Sequence, residues 1–400
     1  MIPIERVRGL LGSALLNLPD PILERFFSST IGYTSADVPP AIQPRNATSD
    51  VRLLVAPANY AAQGYSWARA VEEASSHSAQ NLTIGPGRAS RFPTDDFVPR
   101  QVADKSHDWG RRQAGAISES FTHVLVEAQR PILGRHSRGD VRREHAFLRS
   151  AGVGVAYVSH GSDLRRPSLH AELDRWSPFR DSDWDMLPVL EAVSRESGEI
   201  LDDVDEDEYV VTPELLRDRP NARWLPNTVK PQDWATDAAL FDSPSLRLVH
   251  APTNPRIKGT HLIEPVIDRL SAGGGYHYRR IDGVPPSAMR GVYESADVVL
   301  EQFRLGIYST TAIEALAAGR IVVAHLADDV RRRVHDETGW EVPIVEATPD
   351  TLAEVLADIR ARPDHYRALA AKGPIFVSAV HSGAHAVAAL LRFVSRSPID

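Results

Sequence analysis

Residues 296–325, ADVVLEQFRLGIYSTTAIEALAAGRIVVAH, decide the fold. Val298 to Leu300 and Ile321 to Ala324 are short apolar runs with the composition of buried strands. Between them, Ser309 to Ala318 reads as a helix of small and apolar residues, which Gly319 ends. The order strand, loop, helix, strand predicts a parallel sheet, with the loop and the helix N-terminus at the carboxyl edge of the strands. Backbone N–H groups of Ser309, Thr310 and Thr311 could there meet phosphate oxygens. Glu314 is the single carboxylate in this helix, one turn further in, where it can accept hydrogen bonds from a pair of sugar hydroxyls.

The same alternation extends in both directions. Upstream, Leu246 to His250 reads as a strand and Gly259 to Leu270 as a helix. In the first half, Val51 to Ala56, Leu82 to Ile84, Phe121 to Val126, Val153 to Ser159 and Tyr209 to Thr212 read as strands between polar or helix-patterned stretches. The class is therefore α/β with open parallel sheets. At 400 residues the chain exceeds one ordinary core, and two domains of roughly 150 to 200 residues are expected. The expected division is a helical lead-in and linker over 1–50, an N-terminal Rossmann-like domain over 51–226, a second one over 227–375, and a final helix over 376–400.

Residues 246–325 resemble the carboxyl half of GT-B glycosyltransferases, in particular the large retaining group that takes sugars from nucleoside diphosphates. Glu314, Ala315, Leu316, Ala317, Ala318 and Gly319 match the family's glutamate, small residues and glycine. HAPTNPRIKGTHLI, after the Leu246 strand, resembles its diphosphate-binding stretch. The resemblance, looser over residues 50–375, implies two Rossmann-like domains facing each other across a cleft, with the C-terminal helix crossing back to the N-terminal domain. It implies transfer of a sugar from a nucleotide diphosphate donor to an unidentified acceptor, with retention of configuration and no metal or other cofactor.

The same resemblance implies roles residue by residue. Glu314 would bind the ribose. Arg256 and Lys258 would neutralise the diphosphate together with Ser309, Thr310 and Thr311, and Gly64 would face the phosphates from the first domain. His160, in VGVAYVSHGSDLR, would sit by the transferred sugar. Ile281, Asp282 and Gly283 would surround the base through their backbone. Many members place a second glutamate eight positions before the first, where this chain has Gly306. Glu301 and Gln302 resemble an Asp-Gln found before Gly-x-Tyr in a subset of these enzymes, so the upstream acid has either moved to Glu301 or been lost. A nucleotide-sugar epimerase of similar fold and a non-catalytic nucleotide-sugar binder or partner subunit are the alternatives.

Composition sets outer limits. A formal net charge of −8 argues against nucleic acid as a partner. With no cysteine there is no disulfide, thiolate metal site or cysteine nucleophile. No run of about 18 apolar residues stands out, so no membrane span is expected and the expected location is cytoplasmic. The amphipathic start, IPIERVRGLLGSALLNLPDPILERFF, is a candidate for peripheral contact at the inner membrane face. Asp-x-Asp spacings in DSDWD (181–185) and DDVDEDE (202–208) suit a divalent cation, although dense charge more often marks a solvated loop. HSGAH (381–385) puts two imidazoles at helical spacing, read as interface or surface residues of the tail helix.

Overall fold

A computed structural model describes residues 20–396, so most of the amphipathic start lies outside the described residues. The strands are β1 (Arg52–Ala56), β2 (Ser78–Gly85), β3 (Asp96–Pro99), β4 (His123–Glu127), β5 (Gly154–Ser159), β6 (Asp207–Val210), β7 (Arg223–Trp224), β8 (Leu246–His250), β9 (Tyr276–Arg280), β10 (Val298–Leu300), β11 (Ile321–Ala324) and β12 (Val345–Glu346). They form two sheets, in the orders β3-β2-β1-β4-β5-β6-β7 and β12-β11-β10-β8-β9. Parallel pairings run through both.

By its contacts the chain divides into two compact units. Of the described residues, one holds those up to Ser159, Glu199–Glu208 and those from Leu390 to Arg396; the other holds His160–Gly198 and Tyr209–Ala389. The expected dividing point near Asn227 thus falls inside the second unit. Residues 160–198 belong there because buried Arg304 grips them: it donates to the Trp176 and Ser177 carbonyls at 2.9 Å each and to both Asp181 carboxylate oxygens at 2.7 Å.

In the first unit β1, β4 and β5 are apolar and buried along nearly their whole length, as strands covered on both faces must be. β2 runs further than its apolar reading, because Gln80, Asn81 and Thr83 are also buried. Asn81 is satisfied by donating to the Val55 carbonyl at 3.1 Å. Helices α1 (Gln63–Ala74), α2 (His107–Ser120) and α3 (Val141–Ser150) bury Trp67 and Val71, Trp109 and Ile117, and Leu148 respectively. The tail belongs to this unit, where the Phe393 ring meets His123 edge-on with centroids 5.1 Å apart.

The second unit contains α4 (Pro167–Leu173), α5 (Pro255–Lys258), α6 (Thr260–Ala272), α7 (Met289–Glu294) and α8 (Thr310–Ala317). Its three central strands alternate between two cores: Leu248, Val298, Leu300, Ile321 and Val323 pack on one face, and Val249, Val299, Val322 and Ala324 on the other. That period of two with both phases apolar is why β8, β10 and β11 read correctly as continuous runs. β9, YHYRR, was not expected as a strand: it lies at the sheet edge, paired only with β8, and is half to fully exposed.

The expected final helix is two helices, Lys372–Val380 and Ala384–Val394. Gly383, at φ +114, separates them. This corrects the reading of HSGAH as one helical face. His381 is buried in the break, bonded through Nδ1 to the Asn227 carbonyl at 2.8 Å and through Nε2 to the Tyr308 hydroxyl at 3.1 Å. Among the described residues, 363–394 passes for a membrane span by length and composition alone, although the stretch is divided into separate helices. Phe376, Val377, Val380 and Leu390 within it are buried in the protein.

Candidate functional site

In the second unit the carboxyl ends of β8 and β10 lie together, His250 paired with Leu300. From there the chain departs in opposite directions, β8 leading through α6 to β9 and β10 through α8 to β11. Such a switch point leaves a crevice at the strand ends. His250 closes the seam: Nδ1 lies 2.7 Å from the Leu300 carbonyl and Nε2 2.8 Å from the Thr260 hydroxyl. Since a carbonyl only accepts, the proton is assigned to Nδ1. Burial pushes the imidazole pKa down to about 4, so the group is neutral near pH 7.

On this seam Lys258, Glu301 and Ser309 form one cluster. Lys258 Nζ pairs with Glu301 Oε1 and donates to Ser309 Oγ at 3.0 Å, while Ser309 Oγ donates to Glu301 Oε1 at 2.6 Å. Lys258 is 7% exposed and Glu301 2%, so the pair is held in a site where an unpaired charge would be costly. An ammonium has three donors, and two are used here. Glu301 Oε2 is buried with no hydrogen-bond partner among the described residues.

Ser309 is also the N-cap residue of α8, yet its side chain makes no capping bond. The first-turn amides of Thr310 and Thr311 are therefore not occupied by it, and both residues are partly exposed. Glu314, half-buried, follows on the same helix. The Tyr293 hydroxyl, from α7, donates to its Oε2 at 2.8 Å. Burial raises the Glu314 pKa to about 7, with the Tyr293 bond pulling the other way. Ile281 packs into the same core as Tyr293 and donates its N–H to the His250 carbonyl at 2.8 Å. Asp282 pairs with Arg280 at 2.8 Å, and Gly283 adopts φ +69.

Arg256 does not join the Lys258 cluster. Its guanidinium bonds Asp183 at 2.9 and 3.2 Å and Asp181 at 3.3 Å, and lies over the Trp184 ring. Arg256, Asp181 and Asp183 line a cavity of about 480 Å³ with His261, Glu264 and Arg280. Two of the three DSDWD aspartates thus hold arginines: Asp183 holds Arg256, and Asp181 is shared between Arg256 and Arg304.

Gly306 has φ +64, and a Cβ there would lie 3.0 Å from Ala327 Cβ and 3.1 Å from Asp174 Oδ2. A glutamate does not fit this backbone without strain. The carboxylate beside it is Asp174, hydrogen-bonded to His325 Nε2 at 3.4 Å, while His325 Nδ1 bonds Glu346 at 2.8 Å. Burial disfavours the imidazolium, but the two carboxylates outweigh it and raise the His325 pKa to about 9. The same stretch is tied to α4 by His170, whose Nε2 lies 3.2 Å from the Leu305 carbonyl.

His160 is half-buried at the start of a turn organised by Asp163, which accepts the His160 and Gly161 amides at 2.9 and 2.6 Å. Gly64, in the first unit, is enclosed rather than open: a Cβ would meet Asn81 Nδ2 at 2.7 Å and Glu127 oxygens at 3.2 Å. The amides of Ala58 and Asn59 both donate to that Glu127 carboxylate at 2.9 Å. Gly64 therefore serves close packing of α1 on a buried carboxylate.

Sequence reasoning missed Tyr293, His250, Arg304 and Asp174. His250 carried a usable signal, a polar residue ending an apolar strand run; the other three acquire their partners only on folding.

No protein-family model matches the chain, and no curated protein matches it. Solved structures do match. HepE from Anabaena, in complex with UDP and glucose, aligns over 86% of this chain and 98% of its own with a TM-score of 0.55 and 10% identity. The catalytic domain of starch synthase IV from Arabidopsis thaliana, bound to ADP and acarbose, aligns over 88% and 100% with a TM-score of 0.54 and 11% identity. Sucrose-phosphate synthase from Thermosynechococcus elongatus aligns over 86% and 98% with a TM-score of 0.53 and 12% identity. The chain has the α/β fold of GT-B glycosyltransferases.

Proposed function

We propose that the protein is a glycosyltransferase that takes a sugar from a nucleoside diphosphate and passes it to a hydroxyl acceptor, with retention of configuration and without a metal ion. One observation carries this reading: a single switch-point seam gathers a lysine, a helix N-terminus and a half-buried glutamate. Ser309 and Glu314 are five residues apart, roughly 7.5 Å along the α8 axis, a span suited to a diphosphate and the ribose it carries. In this reading the third donor of Lys258, with the Thr310 and Thr311 amides, takes the diphosphate, and Glu314 takes the ribose hydroxyls. The backbone of Ile281, Asp282 and Gly283 borders the base.

As the glycosidic bond breaks, negative charge builds on the leaving diphosphate, and these fixed dipoles and the ammonium stabilise it. Glu301 and Ser309 hold Lys258 at that point. Arg256 could contribute only by releasing Asp183, whose side chain is 77% exposed. Glu301, with a buried oxygen left over, is the acid we assign near the reacting sugar, together with His160; the backbone at Gly306 disfavours the usual one.

HepE and starch synthase IV were solved with UDP and ADP, which makes those nucleotides the first probes. Calorimetric titration is expected to show binding of at least one of them, weakened about tenfold in Glu314→Ala. Absence of nucleotide binding overturns the reading. Incubation with a panel of nucleotide sugars then decides the chemistry: transfer or donor hydrolysis supports it, an altered sugar indicates an epimerase, and binding without turnover a non-catalytic binder.

A further inference from the structure

The first unit carries a polar site that the donor chemistry does not use. Pro57, Ile84 and Arg130, just beyond or at the carboxyl ends of β1, β2 and β4, line a cavity of about 960 Å³. Four arginines face it, Arg100, Arg130, Arg135 and Arg138, against one carboxylate, Asp104. In a chain of formal net charge −8 this is a local reversal of sign.

The four carry no counter-charge, although they share one cavity. Elsewhere in this unit Arg45 and Arg69 pair with Asp95, Arg142 with Asp203 and Arg149 with Glu206. Among the described residues none of the four cavity arginines forms an ion pair. Arg130 lies over the Tyr60 ring, and Arg100 has only a long 3.4 Å contact to the Ile84 carbonyl. Arg135 Nε is buried with no hydrogen-bond partner, a donor already stripped of water.

The loop that carries three of them is held in place. Buried Glu144 accepts the Ile132 and Leu133 amides at 2.8 Å each and the Ser137 hydroxyl at 2.6 Å. Gly110 and Gly134 let the loop sit directly on its neighbours: a Cβ on Gly134 would lie 2.5 Å from the Ala103 carbonyl oxygen, and one on Gly110 3.0 Å from the His136 nitrogen. The guanidinium groups therefore stand on a fixed frame.

We propose that this cavity binds a phosphate group carried by the acceptor substrate. Guanidinium forks match phosphate oxygens, and several together suit a multiply charged anion better than a neutral sugar. Assignment to the acceptor rests on the transfer reading above; phosphate binding itself does not. The same group could come from a soluble phosphorylated polyol or from a lipid headgroup.

With the protein saturated in UDP to fill the donor site, glycerol 3-phosphate is titrated calorimetrically, and flotation compares phosphatidylglycerol with phosphatidylcholine vesicles. Binding of glycerol 3-phosphate supports a soluble acceptor, and binding to phosphatidylglycerol vesicles alone supports a lipid one. In either case the R135A/R138A double variant is expected to weaken binding by at least about tenfold, R135K/R138K to recover part of it, and UDP affinity to stay unchanged. Binding of neither probe, or binding indifferent to both arginines, overturns the proposal. Failure to bind UDP alongside arginine-dependent phosphate binding would remove the donor reading and the acceptor assignment, and leave the phosphate site standing.

Discussion

Both units place positive charge at the carboxyl edge of a parallel sheet, and they treat it in opposite ways. In the second unit every cation near the seam is matched: Lys258 with Glu301, Arg256 with Asp183, Arg304 with Asp181. In the first, the Arg100, Arg130, Arg135 and Arg138 guanidinium groups line a cavity with only Asp104 among them. A matched cation is fixed in direction before any ligand arrives and contributes its remaining donor; an unmatched one is held ready for a counter-charge. The first arrangement suits stabilising charge that develops during a reaction, the second suits holding an anion throughout.

The largest expected effect tests that contrast through stability. Glu301→Ala would leave Lys258 buried without its counter-charge and is expected to cost about 3–5 kcal/mol in urea denaturation. Replacing both partners, Lys258→Met with Glu301→Leu, is expected to recover most of that loss. Arg138→Ala, by contrast, removes an exposed and unpaired charge and should stay within about 0.5 kcal/mol of wild type. If the two single variants prove equally mild, the distinction between matched and unmatched cations has no energetic basis.

The frame beneath the arginine loop has its own signature in pH. Burial raises the Glu144 pKa to about 7 against three hydrogen bonds that pull it down. A carboxyl whose folded pKa is raised contributes stability that is fully present below its unfolded value of 4.5 and is lost as pH rises through about 7. The magnitude is at most about 3 kcal/mol. Stability curves at pH 5 and pH 8 should therefore lie closer together in Glu144→Gln than in wild type. An unchanged gap would show that the clamp does not titrate.

Legibility followed burial on both faces. β8, β10 and β11 were readable to the residue, because both phases of each strand are apolar. The helix carrying Glu314 was readable because small residues and Gly319 mark its body and end. Edge strand β9 and the break at Gly383 left no comparable pattern. The candidate site was half visible: Glu314 stood out as the lone charge of its helix, and Lys258, with Arg256, as a cation before a helix start. Their partners did not, since Lys258 and Glu301 lie 43 residues apart and Arg256 reaches Asp183 across 73. In sequence Arg130, Arg135 and Arg138 pass for a solvated loop; only the fold adds Arg100 and removes every acid but one.

Gly306 stands where the family resemblance leads one to expect a glutamate, and it is testable at intermediate size. Gly306→Ala is expected to destabilise by about 1–2 kcal/mol, because φ +64 disfavours a side chain and the added carbon would meet Ala327 and Asp174. Gly306→Glu should cost more and should not raise turnover. A gain in turnover would mean that the backbone yields and that the position is a lost acid rather than a rebuilt one.

The smallest effect is the most specific to the donor. A ribose diol donates hydrogen bonds, so Glu314 must be ionised to accept both, and its pKa stands at about 7. UDP affinity is therefore expected to fall as pH drops below about 7, approaching tenfold per pH unit, while Glu314→Gln, weaker throughout, keeps only the slope of the nucleotide's own phosphate. Tyr293→Phe removes the hydroxyl that steadies the carboxylate at 2.8 Å, so its midpoint should move to higher pH. A Tyr293→Phe midpoint that stays put, or moves lower, would detach Glu314 from ribose binding even if the nucleotide still binds, because Glu314 is the carboxyl whose burial-raised pKa the Tyr293 bond pulls down.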